Sequence, residues 1–300
     1  MKFVTATNEN GNQFVGVVVD EKVIDLKKLD ELQNGTSYLP NTLIECIEQG
    51  DQFLNKVNEL TATFQKNGEY AEAVYSMNEI ELAAPIPVPR KNIFCVGKNY
   101  REHAIEMGSE ADIPTEIIIF TKAPTTVNGP NKPVPNHKTI TDQLDYEGEL
   151  AIVIGKKGKG IKEEDALDYV FGYTIINDIT ARDIQRRHKQ YFLGKSLDGT
   201  CPMGPWIVHK SEIPNPNALH IETKVNGEVR QSSSTELLIF PIEQVISIIS
   251  RGMTLEPGDI IATGTPAGVG KGFKPPRFLK SGDEIEITID KIGTLVNRIE

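Results

Sequence analysis

The segment DYEGEL, residues 145–150, sets Asp145, Glu147 and Glu149 at alternate positions at the head of an apolar run, ELAIVIG. Alternate residues of a strand share a face, so Glu147 and Glu149 project together and Asp145 lies near the same side. Like charges held that close repel unless water, a cation, a shared proton or a basic partner offsets them. A solvent-facing strand edge would supply the water, but the apolar residues that follow set the pair at the mouth of a core strand. A third acid, Asp178, closes the apolar run VFGYTIIND, where a strand passes into TARD. Two carboxylates on one strand and a third at another strand's end could form an all-oxygen site. Such a site suits Mg²⁺, Mn²⁺ or Ca²⁺, whereas zinc sites usually include His or Cys. Mg²⁺ retains waters and accepts substrate oxygens, which leaves positions open for chemistry.

His103 and Glu106 fall three apart in KNYREHAIEMG. On a helix they share a face, and a carboxylate beside an imidazole fixes its tautomer and favours its protonated form. That suits a group that accepts or relays a proton; a solvated helix face carries the same spacing. Arg182 and Gln185 in ARDIQ lie one helical turn apart, and the residues alone suggest an ion pair of Arg182 with Asp183 or another acid. The glycine-rich TGTPAGVGKG fails the phosphate-loop pattern, because Thr265 stands where that pattern needs glycine and Gly272 where it needs Ser or Thr. GKKGKG lacks dinucleotide-binding spacing and reads as a turn.

These residues need strands to hold them, and the chain is rich in strand signals. MKFVTAT, FVGVVVD and KVIDL form a small leading sheet, and apolar positions from Thr42 to about Phe64 recur at helical spacing. APIPVPRK, with three alternate prolines, is extended and marks the domain boundary. Beyond it, NIFCVG, EIIIFTK, ELAIVIG, VFGYTIINDIT, GPWIVHK, LHIETKVNG, DIIATG and DEIEITID read as strands. KEEDALDYV, ARDIQRRHK and PIEQVISIISRG read as helices. The expectation is a β-rich α+β protein with a small N-terminal α/β domain over residues 1–85 and a catalytic domain over residues 86–300.

The net charge of −10 disfavours nucleic acid and anionic membrane surfaces as partners. No stretch approaches the apolar length of a membrane span, and the start carries no leader pattern. Cys46, Cys95 and Cys201 offer neither a disulfide framework nor a zinc site, which points to reduced thiols in the cytoplasm.

GKNYREHAIEMG, DYEGEL, GYTIINDITARDIQ, GKSLDGTCPMGP and IIATGTPAGVG, in that order over roughly residues 92–272, resemble the fumarylacetoacetate hydrolase superfamily. The segment HAIEMGSEADIP and the additional N-terminal region are most similar to the bacterial oxaloacetate decarboxylases related to the acylpyruvate hydrolases. The resemblance implies the mixed β-sheet roll of that family and a homodimer built through its C-terminal β-rich domain. It makes Glu147, Glu149 and Asp178 the ligands of Mg²⁺ or Mn²⁺, and Arg182, Gln185 and Thr265 contacts to a small keto-acid substrate. Lys195 in GKSLD becomes the electrophilic donor to a developing enolate, and His103 with Glu106 the pair that activates water in the hydrolases. Asp145 has no ligand role in the pattern and is expected to give a supporting hydrogen bond. The leading expectation is metal-dependent C–C cleavage: decarboxylation of oxaloacetate to pyruvate and CO₂ through an enolate that the cation stabilises. Acylpyruvate hydrolysis, of fumarylpyruvate or acetylpyruvate, and oxaloacetate tautomerisation share that enolate and stand as alternatives. A non-catalytic binding or scaffolding role belongs to a different class.

Overall fold

The computed structural model describes residues 1–67 and 70–300. Its frame is a twelve-stranded mixed sheet, in which the strands run in space Val74–Ser76, Lys22–Asp25, Gln13–Val19, Lys2–Asn8, Cys201–His209, Val170–Asn177, Gly148–Ile154, Ile260–Ala262, Ile93–Gly97 and Ile118–Lys122, with two short strands off this path. Most neighbours are antiparallel, and the pairing of Ile260–Ala262 with Ile93–Gly97 is parallel. A five-stranded sheet, Glu228–Ser234, His220–Val225, Glu284–Ile289, Gly293–Ile299 and Pro133–Val134, packs against it. The interface between the sheets holds the larger core, with Leu150, Ile152, Tyr173, Ile175, Ile285 and Ile287 buried. The strands at its centre are apolar on both faces; Gly148–Ile154 and Val170–Asn177 are buried at every position.

The leading strands arise where they were expected, and Lys2–Asn8 pairs with Cys201–His209, through Lys2 with Val208 and Phe3 with Ile207. The small leading sheet is thereby continuous with the large one. Phe3 sits between Phe53 and Phe171, ring centroids 5.3 and 5.4 Å away. The helices Leu43–Glu48 and Asp51–Asn67 account for the apolar periodicity after Thr42. KVIDL ends as a strand at Asp25, whose carboxylate caps a helix, Leu26–Asn34, by accepting from Lys28 N. KEEDALDYV winds as a 3₁₀ helix, Glu163–Tyr169, and EVRQSSS, with no clear apolar alternation, is nonetheless a strand because its neighbour supplies the pairing. No helix among the described residues is long and apolar enough to cross a membrane.

Candidate active site

Strand register brings the carboxylates together. Gly148 pairs with Asn177, so Glu147 and Asp178 stand one residue beyond the same rung. Two hydrogen bonds fix that end of the ladder, Asp178 N to Glu147 O at 2.9 Å and Glu147 N to Asn177 Oδ1 at 3.0 Å. Glu149 follows on the same face. Glu147, Glu149 and Asp178 are all buried, and a ligand oxygen of each lies within 4.8 Å of the others. Glu147 and Glu149 floor a cavity of about 360 Å³ whose wall includes His103, Phe120, Arg182, Gln185, Lys195 and Thr265.

Lys195 Nζ bridges Glu147 Oε2 and Asp178 Oδ2, each 2.7 Å away, and lies 4.8 Å from the centre of the Phe120 ring. Arg182 spans Asp145 Oδ2 and Glu147 Oε1, each at 2.8 Å, so the ion pair that its sequence suggested is made with these acids and not with Asp183. Its Nη1 also donates to Gln185 Oε1 at 3.2 Å, while Nη2 is buried without a hydrogen-bond partner among the described residues. Burial works to raise the Glu147 carboxyl, but the Lys195 and Arg182 cations outweigh it and hold the group below the usual carboxylate range. Glu149 goes the other way. Burial first, then the Asp178 and Glu147 charges, push its carboxyl well up, and the hydrogen bond from Gly264 N at 2.7 Å only partly offsets them. Burial likewise works against the Lys195 ammonium, yet Asp178 and Glu147 keep it charged.

Asp145 is turned away from the other two acids. It accepts from Arg182 Nε, from Gly270 N at 2.6 Å and from Lys271 N at 3.0 Å, which ties the arginine to the glycine-rich loop. The same loop is held at Gly268 O by Tyr146 Oη, 2.7 Å, and at Gly268 N by Glu106 Oε1, 2.9 Å. Glu106 Oε2 lies 3.3 Å from His103 Nδ1, so the helix Arg101–Met107 and the loop share one carboxylate. Gly268 has φ of 105°, and a Cβ there would stand 1.9 Å from Arg230 O, so only glycine fits. Thr265 lines the cavity, but its hydroxyl donates to Gly148 O at 3.0 Å and accepts from Gln231 Nε2 at 2.8 Å. A substrate contact from this side chain would exchange one of those bonds.

Three buried polar residues complete the frame and were not singled out in the sequence. Lys122 Nζ donates to Ile179 O at 3.0 Å and to Lys195 O, and stands 2.9 Å from Asp178 Oδ1. That last approach is an ion pair out of line for a hydrogen bond, which leaves Asp178 Oδ1 without one among the described residues. Asn99 holds Thr263 O and both polar backbone groups of Phe240, setting the helix Arg101–Met107 over the cavity. Gln231 joins Gly148 N, Thr265 Oγ1 and Pro266 O. The lysine that ends EIIIFTK and the glutamine in QSSS carry no pattern of their own. Asn99 lies four residues before His103, and that proximity is the one available signal.

The donor set fits a hard divalent cation. Three convergent carboxylates, one raised by burial and then by its like-charged neighbours and one with an oxygen that accepts no hydrogen bond among the described residues, are the oxygen-only environment that Mg²⁺ and Mn²⁺ take.

Residues 92–300 match the family model described as fumarylacetoacetate (FAA) hydrolase C-terminal. The chain belongs to the fumarylacetoacetate hydrolase family. It is 58% identical over 301 residues, covering 100% of both chains, to a Bacillus subtilis protein named oxaloacetate tautomerase YisK. A fumarylacetoacetate hydrolase structure from Exiguobacterium antarcticum superimposes with a TM-score of 0.82 at 41% identity, covering 100% of this chain and 99% of that one. A maleylpyruvate hydrolase from Sphingobium sp. SYK-6, in complex with manganese (II) ion and pyruvate, gives 0.78 at 28% identity, covering 100% and 98%. This member of the hydrolase family is therefore an enzyme with a buried acidic triad that could hold a metal, on the family's mixed-sheet fold.

Proposed function

We propose that the protein interconverts the keto and enol forms of oxaloacetate. The observation that carries this choice is the 58% identity, over the whole of both chains, with the relative named oxaloacetate tautomerase. The geometry supports it. Keto-to-enol conversion breaks one C3–H bond and forms one O–H bond at C2, and it needs an electrophile at the C2 oxygen and a base near C3. Glu147, Glu149 and Asp178 would hold Mg²⁺ or Mn²⁺, which when bound supplies a Lewis acid for the keto oxygen. Lys195 is the chain's own cation on that side; two carboxylates 2.7 Å away keep it charged and aimed, and it stabilises the oxygen as negative charge develops. With Nδ1 turned to Glu106, His103 presents Nε2 as the base that takes the C3 proton and passes it to the C2 oxygen, and that carries it back in the reverse direction. Gln185, whose Oε1 is engaged by Arg182, has its amide N–H groups free for a substrate carboxylate. Arg182 and Thr265 orient the same end, and the helix Arg101–Met107 excludes water by lying over the cavity.

Decarboxylation of oxaloacetate to pyruvate and CO₂ is the second reading. Lys195 favours it equally, because an ammonium at the C2 oxygen serves any reaction that passes through an enolate. Acylpyruvate hydrolysis is favoured by the His103–Glu106 contact, which would activate water. One comparison separates the three: enol disappearance and CO₂ release from oxaloacetate, and cleavage of acetylpyruvate and fumarylpyruvate, each with Mg²⁺ and with Mn²⁺. Tautomerisation well above the metal-only rate, with little CO₂ and no cleavage, is expected; CO₂ release at the tautomerisation rate would replace the first reading by the second.

We further propose a cytoplasmic homodimer. The division at residues 85 and 86 is proposed as one of labour: every residue assigned to the site lies in 86–300, while residues 1–85 contribute packing.

A further inference from the structure

The cavity wall carries more positive charge than the chemistry above employs. Of its six basic side chains, Arg182 and Lys195 are matched by Asp145, Glu147 and Asp178, and Lys98 is paired with Asp112 at 2.9 Å. Lys271, Arg186 and Lys189 are left, and none of them makes an ion pair among the described residues. Lys189 and Arg186 are exposed, whereas Lys271 is half-buried. Its backbone N–H is fixed on Asp145 Oδ2, the same oxygen that receives Arg182 Nε, so one carboxylate holds the lysine's backbone and the guanidinium, and both residues line one cavity.

Keeping like charges together in a partly dry space is costly unless an anion joins them. Burial, then Arg182 and Arg186, press the Lys271 ammonium towards losing its proton, with Asp145 the weaker attraction. The unpartnered Nη2 of Arg182 is a further buried donor without an acceptor. Glu147 and Glu149 line the cavity, so a keto acid held there through the cation that the triad would carry has its other end free to reach towards the remaining cations.

We propose that Lys271, assisted by Arg186, receives the second carboxylate of the substrate and makes the cavity select a dicarboxylic keto acid over a monocarboxylic one of equal length. This rests on the keto-acid reading of the site and adds to it the residue that sets substrate charge. A lysine serving only the solubility of the rim would not discriminate between two such acids.

The test is titration calorimetry of the Mg²⁺-loaded protein with fresh oxaloacetate and with 2-oxobutyrate, four-carbon keto acids that differ in the distal carboxylate. Wild type is expected to bind oxaloacetate at least about tenfold more tightly, the scale of one charge-assisted hydrogen bond. Lys271→Met should weaken oxaloacetate about tenfold and leave 2-oxobutyrate within about twofold, with Lys271→Arg restoring the preference. Arg186→Met, at an exposed position, should reduce the same preference to a smaller extent and serves if Lys271→Met fails to fold. Equal affinities in wild type, or a loss in Lys271→Met shared by both acids, would overturn the subsite. Turnover measured on the same preparations keeps the two ideas apart: an intact preference in a protein that neither tautomerises nor decarboxylates oxaloacetate would reject the reaction and leave the subsite standing.

Discussion

Glu147 is the residue with most to lose. Its two oxygens are divided between Arg182 and Lys195, and replacing it by Gln leaves both cations buried with one acceptor fewer. Removing one partner of a buried ion pair costs about 3–5 kcal/mol, so Glu147→Gln should lower thermal stability as well as abolish metal-dependent turnover. Full turnover in that variant would reject the ligand set. Asp145→Asn makes a different prediction, because Asp145 touches the arginine and the loop but not the triad. Its kcat for oxaloacetate should fall about tenfold or more, with Mg²⁺ affinity changed much less; removing a hydrogen bond that supports the groups around a metal typically costs about 10–100-fold in affinity or activity, so an equal loss of both would assign Asp145 to the metal. The convergence of Glu147, Glu149 and Asp178 was legible in the sequence in two steps, since strand alternation and a strand end raised it and the family resemblance completed the set. The orientation of Asp145 was not, because its partners Gly270 and Lys271 lie 125 and 126 positions away. Lys122, Asn99 and Gln231 were hidden for the same reason: they are bonded largely to backbone groups far along the chain.

The glycine-rich loop is the element on which the site closes, and Gly268 is where it is least tolerant. An alanine there meets Arg230 O in a left-handed backbone conformation, and the N–H that holds Glu106 would move with it. Gly268→Ala should destabilise the protein by about 1–3 kcal/mol and depress kcat, read by thermal unfolding and turnover together. A second prediction concerns the joint between the leading strands and Cys201–His209. His209 packs edge-on against Phe171, and its backbone N–H bonds Met1 O. Burial first, then the N-terminal ammonium and Lys210, bring its pKa down from 6.5 to about 4. The unfolded chain therefore binds a proton that the folded chain refuses between those values, and stability present above pH 6.5 is lost as pH falls towards 4. In His209→Gln the unfolding midpoint should fall less steeply over that window; an unchanged slope would show that His209 does not titrate there. The main strands were readable because their apolar runs are bounded by turn residues. The helix Leu26–Asn34 was not read in the sequence, because its cap, Asp25, is also the last residue of the strand in KVIDL.

At the scale of the molecule, the first strand, the α-helical segment and the central sheet share one buried cluster, so residues 86–300 alone would expose a face that Phe3, Phe53 and Val57 now cover. The family's β-rich architecture was legible, whereas the fusion of the leading sheet onto Cys201–His209 was not, since two residue pairs make that junction and neither leaves a pattern. All that structure serves a buried triad with a bridging lysine, and the most direct test of that purpose is the rate of enol-oxaloacetate disappearance with Mg²⁺ or Mn²⁺, followed for wild type and Glu149→Gln against the metal-only rate. The account predicts turnover well above the metal-only rate in wild type, lost on chelation and lost in Glu149→Gln. Wild-type protein no faster than the metal alone, or turnover unaffected by chelation and by the substitution, would contradict it.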